Sequence, residues 1–353
     1  MGDKVRVLVV DDSALMRQLL STMMQSDPDI EVVGVAPDPL VARQMIKDLN
    51  PDVVTLDVEM PNMDGISFLE KIMKLRPMPV LMISSLTQAG AEATLQALEL
   101  GAVDYIAKPK VDLQQGLAEK QAEIVEKVKI AAKARVRSRA NAAARAAAPA
   151  ATARAGFSTT ERIVAIGAST GGVEALREVL CGLPADSPAV VATQHMPAGF
   201  TTRFAERLNT LAQVTVQEAA DGQRILPGHV YIAPGNWHLE VVRTGANYTC
   251  RLGDGPAVSG HRPSVDVLFR SVATSARGNA IGVILTGMGK DGAEGLKQMR
   301  AAGAATIGQN EATCIVYGMP KAAHALGATQ IELPIEKVAT AILDRCSDRH
   351  VRI

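Results

Sequence analysis

The stretch Ile163-Val-Ala-Ile-Gly-Ala-Ser-Thr-Gly-Gly172 passes from a β-branched run into glycines, and an amphipathic helical pattern follows at once over residues 173–180. This order predicts a strand, a tight turn and a helix N-terminus, with Ser169 in the turn. Two chemistries use such a turn. A nucleotide site brings backbone N–H groups against phosphate at a helix start, whereas a hydrolase exposes a nucleophile beside backbone donors that stabilise an oxyanion.

Length and composition predict a globular protein of two domains. At 353 residues the chain is too long for one ordinary core. Its formal net charge of zero argues against a globally steered nucleic-acid binder. The four cysteines are far apart and lack paired metal spacing, which is typical of reduced thiols in the cytosol. The N-terminal residues lack a signal-peptide pattern and no apolar run could cross a bilayer, so we expect a cytoplasmic protein without membrane insertion.

Strands alternate with amphipathic helices from Lys4 to about Lys110, which predicts a parallel sheet with helices on both faces. The predicted strands are Val5–Val10, Glu31–Ala36, Val53–Asp57, Val80–Ser84 and Ala102–Ala107, and the predicted helices are Leu15–Met24, Leu40–Leu49, Ile66–Leu75 and Ala91–Leu100. We place the first domain at residues 1–122 and a helical, then alanine- and arginine-rich linker at residues 123–160. A basic arm for nucleic acid is the weaker interpretation of the linker, because it lacks interleaved aromatic residues.

A second strand–helix series occupies residues 161–353. Its predicted strands are Ile163–Gly167, Ala189–Thr193, His229–Ala233 and Ile281–Thr286, and its predicted helices are Val173–Leu180, Phe200–Leu208, Val265–Ala276 and Gly292–Ala302. Residues 240–242 and 248–251, on either side of a Thr-Gly-Ala-Asn turn, predict a β-hairpin. The expected fold class is therefore α/β, with two doubly wound parallel-sheet domains, of which the second is Rossmann-like and carries the hairpin.

Carboxylates follow two of the predicted strands of the first domain. Asp11 and Asp12 come directly after the first strand, and Asp57 ends the third. Because the carboxyl ends of parallel strands converge at one edge of a sheet, we expect the three to share one crevice. Mg²⁺ suits such a set, since it takes a few carboxylates and keeps waters for a phosphate ligand. Ser84 and Lys108, at two further strand ends, are placed to contact a phosphoryl group.

Three motifs here resemble the receiver domain of two-component response regulators, which has a flavodoxin-like fold. They are Val-Asp-Asp-Ser-Ala at residues 10–14, Thr-Leu-Asp-Val-Glu-Met-Pro-Asn-Met-Asp-Gly at residues 55–65 and Ala-Lys-Pro at residues 107–109. The resemblance implies that Asp57 accepts a phosphoryl group from a histidine kinase. It also implies Mg²⁺ ligands at Asp11, Asp12, Asp57 and the Glu59 backbone, phosphate-sensing groups at Ser84 and Lys108, and a rotating aromatic switch at Tyr105.

Three predicted strand ends of the second domain carry Ser169, His195 and Asp291. By the same edge rule these side chains can converge, and together they would supply a nucleophile, a general base and an orienting acid. Neutral His195 would take the proton of Ser169, and Asp291 would hold the tautomer and stabilise the imidazolium. Each residue also has an ordinary structural role open to it: a helix cap for Ser169, loop packing for His195 and an N-cap for Asp291.

Other residues compete for these roles. The segment His261-Arg-Pro-Ser-Val-Asp266 holds all three residue types, but it is too compact for a triad and predicts a loop that caps the next helix. His229 and His238 flank a Pro-Gly turn, where we expect rim or structural roles. The nucleotide interpretation of the glycine turn is weakened because a Gly-x-Gly-x-x-Gly spacing and a following lysine are both missing. We do not interpret the turn as the generic Gly-x-Ser-x-Gly elbow of hydrolases either.

Five motifs of the second domain resemble the catalytic domain of chemotaxis protein-glutamate methylesterases. They are Gly-Ala-Ser-Thr-Gly-Gly, Thr-Gln-His-Met-Pro, Tyr-Ile-Ala-Pro-Gly, His-Arg-Pro-Ser-Val-Asp and Leu-Thr-Gly-Met-Gly-Lys-Asp-Gly, and the likeness runs from about Arg162 to the C-terminus. The resemblance implies Ser169 as nucleophile, His195 as base and Asp291 as orienting acid. It further implies oxyanion donors at the Thr170 and Met288 backbone N–H groups, and a hydrolase step without a cofactor.

The substrates implied are γ-methyl glutamate esters on the cytoplasmic helices of chemoreceptors, with methanol released, and receptor glutamines that are deamidated by the same chemistry. From the domain order we expect an unphosphorylated receiver to obstruct the Ser169 cleft and phosphorylation of Asp57 to relieve it. Two other classes stay open at this stage: a phosphorylation-controlled DNA-binding regulator, and a dinucleotide-dependent oxidoreductase built on the glycine turn.

Overall fold

The computed structural model describes residues 4–60, 63–85, 87–108, 117–134, 136 and 162–347, and the chain divides into two compact units, Met1–Ala148 and Pro149–Ile353. The first unit holds a five-stranded parallel sheet in the order β2-β1-β3-β4-β5. Its strands are β1 (Val5–Val10), β2 (Ile30–Ala36), β3 (Val53–Asp57), β4 (Val80–Ser84) and β5 (Asp104–Ala107). Its helices are α1 (Ala14–Gln25), α2 (Pro39–Leu49), α3 (Gly65–Leu75), α4 (Gln88–Leu100) and α5 (Leu117–Ala131).

The middle of this sheet is apolar and buried, as expected where helices cover both faces of parallel strands. Every residue of β3 and β4 is buried. Strand β2 is added on one side of β1, and strands β3 to β5 are added on the other side. Such a switch in strand order predicts a ligand crevice beyond the carboxyl ends of β1 and β3.

Helix α5 lies across the boundary predicted at residue 122. Its Ile124, Val128 and Ala131 are fully buried, and the ammonium of Lys129 lies 2.7 Å from Asp27 and 2.9 Å from Asp29. Residues 123–131 are therefore packed into the first unit. The sequence pattern assigned them to a linker, but their apolar side chains are covered in the folded unit. Most of the remaining predicted linker, residue 135 and residues 137–160, lies outside the described residues.

The second unit holds a seven-stranded parallel sheet in the order β14-β13-β12-β6-β7-β9-β8. Its strands are β6 (Ile163–Ala168), β7 (Ala189–Gln194), β8 (Thr215–Glu218), β9 (His229–Ile232), β12 (Ala280–Ile284), β13 (Ala305–Gln309) and β14 (Ile331–Leu333). Its helices are α6 (Gly172–Cys181), α7 (Phe200–Leu211), α8 (Val265–Ser275), α9 (Ala293–Ala301), α10 (Met319–Ala325) and α11 (Ile335–Ser347).

The predicted hairpin is present and longer than its sequence pattern. Strands β10 (His238–Thr244) and β11 (Asn247–Gly253) form a separate antiparallel pair. The hairpin is fixed to helix α8, because the Val241 N–H donates to Ser271 Oγ at 2.9 Å and the Ser275 hydroxyl donates to the Val241 carbonyl at 2.8 Å. The predicted α/β fold class is thus confirmed, with two parallel-sheet units and a hairpin on the second.

The order of the second sheet decides which loops meet. Strand β6 lies between β12 and β7, and all three run parallel. The loops that follow these strands therefore leave one edge of the sheet side by side, and they begin near Ser169, Thr286 and His195.

Candidate active site

Ser169, His195 and Asp291 lie in hydrogen-bonding contact at this edge. The hydroxyl of Ser169 is 3.1 Å from His195 Nδ1, and His195 Nε2 is 2.8 Å from Asp291 Oδ2. The side chain of His195 is 7% exposed and that of Asp291 is 1% exposed, so water screens their interaction weakly. With the imidazole neutral and its hydrogen on Nε2, Nδ1 is the acceptor for the serine proton.

The carboxylate of Asp291 is held by four donors. Oδ2 accepts from His195 and from the Val265 N–H at 2.7 Å, and Oδ1 accepts from the Ser264 hydroxyl at 2.8 Å and the Asp266 N–H at 3.1 Å. Burial raises the pKa of Asp291, but these hydrogen bonds and the charge of His195 outweigh burial, and the net pKa lies below the ordinary value. Asp291 is therefore an anion fixed at the N-terminus of helix α8.

Helices α8 and α9 each donate backbone N–H groups to a carboxylate that lies in, or directly before, the other helix. Asp291 precedes α9 and accepts from the first amides of α8, while Asp266 in the first turn of α8 accepts from the Gly295 N–H of α9 at 2.7 Å. Val265 of helix α8 can approach these loops closely because residues 167 and 292 are glycines. A Cβ at Gly167 would lie 2.1 Å from Val265 Cγ1, and one at Gly292 would lie 2.4 Å from it.

The sequence left open whether Ser169 and Asp291 cap the helices that follow them, α6 and α9. The N-cap of α6 is Gly171 and that of α9 is Gly292, and in both helices no side chain makes the cap hydrogen bond. Ser169 and Asp291 are thus not caps of the helices that follow them, and Asp291 instead caps a helix that is earlier in the sequence. Ser264 caps α8 by accepting from the Val267 N–H, as the sequence predicted for the segment around it.

Thr286 ties the turn that carries Ser169 to the loop after β12. Its carbonyl accepts from the Ser169 N–H at 3.0 Å, and its hydroxyl lies 3.0 Å from the Thr170 carbonyl oxygen. The same hydroxyl accepts from the Val316 N–H at 3.0 Å. Thr286 is 1% exposed, so three loops meet at one buried hydroxyl.

Gly287, which follows Thr286, lies directly against Ser169. A Cβ on Gly287 would be 2.8 Å from Ser169 Cβ, so its Cα packs on the serine with no space between them. Met288 follows, and its N–H donates no hydrogen bond within the described part of the chain. The proposed oxyanion donors, the Thr170 and Met288 N–H groups, therefore come from two loops that flank the Ser169 side chain.

Sequence reasoning assigned His261 to a capping loop and did not anticipate its contact with His195. The ring of His261 stacks on that of His195, with centroids 3.7 Å apart and planes 15° from parallel. His238 is 4% exposed, and its Nδ1 accepts from the Ser264 N–H at 3.2 Å, which fits the structural role predicted for it. His229, at the start of strand β9, is partly exposed, and its Nδ1 donates to the Pro227 carbonyl at 3.0 Å.

The interpretation that the generic Gly-x-Ser-x-Gly signal of hydrolases is absent from the glycine turn is wrong. Residues Gly167-Ala-Ser-Thr-Gly171 match the Gly-x-Ser-x-Gly spacing of a hydrolase nucleophile turn. The conformation differs from the strained elbow of that motif, because the left-handed φ of +76° falls on Gly171, and Ser169 is not among the positive-φ residues. The spacing supports a nucleophile at Ser169 all the same, since the glycines serve close packing and turning.

A second candidate site lies at the carboxyl edge of the first sheet. Asp11, Asp12 and Asp57 each bring a carboxylate oxygen within 4.8 Å of the others. Asp57 is fully buried, its Oδ2 is 2.8 Å from Lys108 Nζ, and its Oδ1 accepts from the Glu59 N–H at 3.2 Å. The carboxylate oxygen Asp11 Oδ2 is buried and accepts no hydrogen bond from the described residues.

The electrostatics of this cluster favour a cation. Burial and the charge of Asp57 raise the pKa of Asp11 to about 6, and burial raises the pKa of Asp57 against the opposing hydrogen bond from Lys108. Buried carboxylates that crowd together, one with an unpartnered oxygen, are the ligands that Mg²⁺ takes. The three side chains therefore fit the predicted magnesium site, and the Glu59 residue lies beside it.

Ser84 and Tyr105, two of the residues predicted to respond to phosphorylation, are both buried. The Ser84 hydroxyl is buried, accepts from Thr94 Oγ1 at 2.7 Å and lies 3.2 Å from the Gly90 carbonyl. Tyr105 is 7% exposed, and burial raises its pKa well above the ordinary value. The Lys127 ammonium lies 5.0 Å from the Tyr105 ring centre and donates to the Tyr105 carbonyl at 2.6 Å. The aromatic ring is thus in an inward position in this structure.

Two family models match the chain, one in each unit. Residues 164–342 match the family described as CheB methylesterase, and residues 7–118 match the response regulator receiver domain. The chain belongs to the CheB methylesterase family. Its receiver and catalytic units correspond to the two family matches, and the triad and the acidic cluster lie one in each.

Similar proteins extend the likeness over nearly the whole chain. A protein-glutamate methylesterase/protein-glutamine glutaminase of Bordetella parapertussis is 58% identical over 99% of both chains. One of Chromohalobacter salexigens is 56% identical over 98% of this chain and 97% of the relative. The crystal structure of the CheB methylesterase catalytic domain of Thermotoga maritima matches with a TM-score of 0.52 and 37% identity, over 53% of this chain and 99% of that one.

Within the described residues of this CheB family member, no helix is both long enough and apolar enough to cross a bilayer.

Proposed function

We propose that this chain is a phosphorylation-controlled protein-glutamate methylesterase with protein-glutamine glutaminase activity, acting on chemoreceptors in chemotactic adaptation. The observation that carries the proposal is the relay from Ser169 through His195 to the buried anion Asp291, at the carboxyl edge of three adjacent strands. This relay performs acyl transfer. The names of the relatives indicate which acyl group is transferred, namely the side-chain ester or amide of a protein glutamyl residue.

Acylation begins with attack of Ser169 Oγ on the carbonyl carbon of the γ-methyl ester, while the serine proton moves to His195 Nδ1. The oxygen of the tetrahedral intermediate takes up negative charge, which the Thr170 and Met288 N–H groups stabilise. The imidazolium that forms is stabilised by Asp291 through Nε2. Collapse returns the proton from Nδ1 to the methoxy oxygen, and methanol leaves an acyl-serine.

Deacylation uses water in place of the serine. His195 takes a proton from the water, the hydroxide oxygen attacks the acyl carbon, and the carboxylate of glutamate is released as Ser169 recovers its proton. When the substrate is glutamine, the protonated leaving group is ammonia and the other steps are unchanged. The Gly289 and Lys290 positions beside the site are exposed, in keeping with a substrate side chain carried on a protein helix.

Control is proposed to start at the acidic cluster. Asp57 accepts the phosphoryl group of a histidine kinase, with Asp11, Asp12, Asp57 and the Glu59 carbonyl as the groups that would hold Mg²⁺. The bound cation would neutralise part of the charge on the carboxylates and the phosphoryl oxygens. Lys108 already pairs with Asp57 and would stay within reach of the new group. Ser84 would exchange its bonds to Thr94 and Gly90 for a phosphoryl oxygen, and Tyr105 would follow it.

The proposed consequence is relief of obstruction. An unphosphorylated receiver limits access of receptor helices to Ser169, and phosphorylation raises the rate by weakening that restraint. The support is the order of the two units along the chain and the presence of both sites. The partners are methylated chemoreceptor helices and a histidine kinase; neither nucleic acid nor membrane insertion enters the proposal.

The experiment measures methanol release from membranes that carry methylated receptors, with and without a small-molecule phosphodonor. We expect Ser169→Ala to lower release by at least about 10³-fold, whereas Thr210→Ala, on the exposed face of α7, serves as the matched control. We expect Asp57→Asn to remove activation by the phosphodonor. Retained hydrolysis in Ser169→Ala would contradict the enzyme mechanism, and full activation of Asp57→Asn would contradict the control.

A further inference from the structure

Gln194 is the last residue of β7 and immediately precedes His195. It is 4% exposed, and its Nε2 donates to the Ser169 carbonyl oxygen at 2.9 Å. The Gly172 N–H donates to the same oxygen at 2.7 Å. The side chain of Gln194 thus reaches across from one active-site loop to the backbone of the nucleophile itself.

The direction of this contact matters for the neighbouring N–H. The Ser169 carbonyl and the Thr170 N–H belong to one planar trans peptide, in which the C=O and N–H bonds point in opposite directions. A side chain that fixes the oxygen therefore fixes the direction of the hydrogen. Thr170 N–H is one of the two donors proposed to stabilise the tetrahedral oxyanion.

The peptides on either side are held by Thr286. The Ser169 N–H donates to the Thr286 carbonyl, and the Thr170 carbonyl lies 3.0 Å from the Thr286 hydroxyl. Each of these contacts fixes a peptide that flanks the Thr170 N–H. Gln194 supplies the side-chain contact to the peptide that contains it.

The position of Gln194 costs folding stability, so stability alone does not explain a glutamine there. Its Oε1 is buried and accepts no hydrogen bond from the described residues. That oxygen packs against α6, because a Cβ on Gly172 would lie 2.1 Å from it. A buried amide oxygen without a donor costs folding stability, so an apolar side chain of similar length would serve the packing better.

We infer that Gln194 is a positioning residue for the oxyanion site, which orients the Thr170 N–H through the Ser169 carbonyl. This inference rests on the proposed function, because it assigns Gln194 to the acyl-transfer step of that site. Removing the amide leaves Ser169, His195 and Asp291 in place and takes away one of the two donors that hold the Ser169 carbonyl, so the Thr170 N–H is directed less strictly at the developing charge. The loss is therefore expected in the rate of the chemical step rather than in substrate binding.

The test compares full-length wild type, Gln194→Met and Gln217→Met, the last being a matched control on strand β8 at the far edge of the sheet. We expect Gln194→Met to lower kcat for methanol release about 10- to 100-fold, with KM within about twofold. Labelling of Ser169 by a fluorophosphonate, whose phosphonyl oxygen enters the same site, should slow in parallel. The unfolding midpoint, followed by fluorescence of the single tryptophan Trp237 in the same unit, should not fall.

Three results separate the possible failures. If Gln194→Met keeps the wild-type kcat while Ser169→Ala is inactive, the role of Gln194 is wrong and the proposed function stands. If kcat and the unfolding midpoint fall together and KM rises, Gln194 is structural, and the inference is again overturned. If Ser169→Ala still hydrolyses the ester, the proposed function itself fails.

Discussion

The backbone N–H of Val265 donates to the same oxygen of Asp291, Oδ2, that receives the Nε2 hydrogen of His195. The proposed orienting acid, Asp291, is therefore also the anion at the N-terminus of helix α8. A helix N-terminus stabilises a carboxylate through its unpaired amides and its dipole. The fold thus holds Asp291 ionised in a site that is nearly closed to water, and this is the state that an imidazolium partner requires.

We expect the acid sensitivity of the catalytic unit to depend on Asp291. Its pKa is lower in the folded chain than the ordinary value of 3.8, so the ionised carboxylate stabilises the fold above that value and the contribution is lost as the pH falls through the folded-state pKa. Asp291→Asn lacks this contribution at every pH. Trp237 fluorescence melts at about pH 7 and at about pH 3 should show a smaller decrease in the midpoint for Asp291→Asn than for wild type. The exposed Asp186→Asn is the control, and equal decreases in all three proteins would contradict the prediction.

Ser264→Ala removes a hydrogen bond to Asp291 Oδ1 and the cap of α8. We expect kcat to fall about tenfold, which corresponds to about 1.4 kcal/mol, and the free energy of unfolding of the catalytic unit to fall by about 1 kcal/mol. Steady-state methanol release and urea unfolding followed by Trp237 measure the two effects. Asp38→Ala, which removes the cap of α2 in the receiver unit, is the control for cap loss as such. A stability loss with unchanged kcat would show that Ser264 acts as a helix cap alone.

Gly287→Ala places a methyl group against the nucleophile. The new Cβ would lie 2.8 Å from Ser169 Cβ and 2.3 Å from Met319 Sδ, so the loop must shift. Overpacking of this kind costs about 1–3 kcal/mol, and a shift of the Met288 N–H should lower kcat at least about tenfold. Kinetics and thermal melts of Gly287→Ala and of the control Gly253→Ala, where a Cβ meets open space, test this. Wild-type kinetics in Gly287→Ala would show that the loop adapts without loss.

Phosphoryl transfer to the chain should occur at Asp57. Asp57→Asn keeps the size of the side chain and removes the acceptor oxygen charge, so we expect incorporation of radiolabelled phosphate from a small-molecule donor to fall to background. Asp52→Asn, at an exposed position before β3, is the matched control and should incorporate phosphate as wild type does. Labelling of Asp57→Asn at the wild-type level would place the phosphoryl group elsewhere.

Magnesium should bind at the three carboxylates. Titration calorimetry of the full chain with MgCl₂ should show a site that Asp11→Asn weakens at least about tenfold, since one of two buried carboxylate ligands is lost. Chelation of divalent cations should also stop phosphate incorporation into Asp57. The exposed Asp48→Asn on α2 provides the comparison. Unchanged magnesium affinity in Asp11→Asn would contradict the assignment of this cluster.

The elements that the sequence predicted well are those with a local signal. Strands β1, β3 and β4 coincide with their predicted ranges, because each is an apolar, β-branched run bounded by polar or turn residues. The hairpin was predicted from its Gly-containing turn. These features depend on neighbours in sequence, and a one-dimensional pattern contains them.

The elements that were missed lack such a signal. Strands β8 and β14 are the outermost strands of their sheet, and both are partly exposed. Strand β8 has only four residues, most of them polar, and β14 has only three residues, which is too few for an alternating pattern to be recognised. Strand β13 contains a glycine, and α10 is only seven residues long and begins Met-Pro. Helix α5 was predicted as helical, but its packing on the first unit was not, because contacts such as those of Lys129 with Asp27 and Asp29 join residues that are 102 and 100 positions apart.

The sequence by itself determined that this chain has two α/β units, and it named Ser169, His195, Asp291 and the acidic cluster around Asp57 as candidates. It could do so because residues that follow parallel strands must emerge at a common edge. The tertiary structure alone decided how that edge is assembled: which ring nitrogen faces the serine, that α8 stabilises Asp291, and that Gln194 and Thr286 hold the peptides around Ser169. Those contacts join residues from about 25 to more than 100 positions apart. Their energies depend on distance and burial in the folded chain, which spacing along the sequence does not specify.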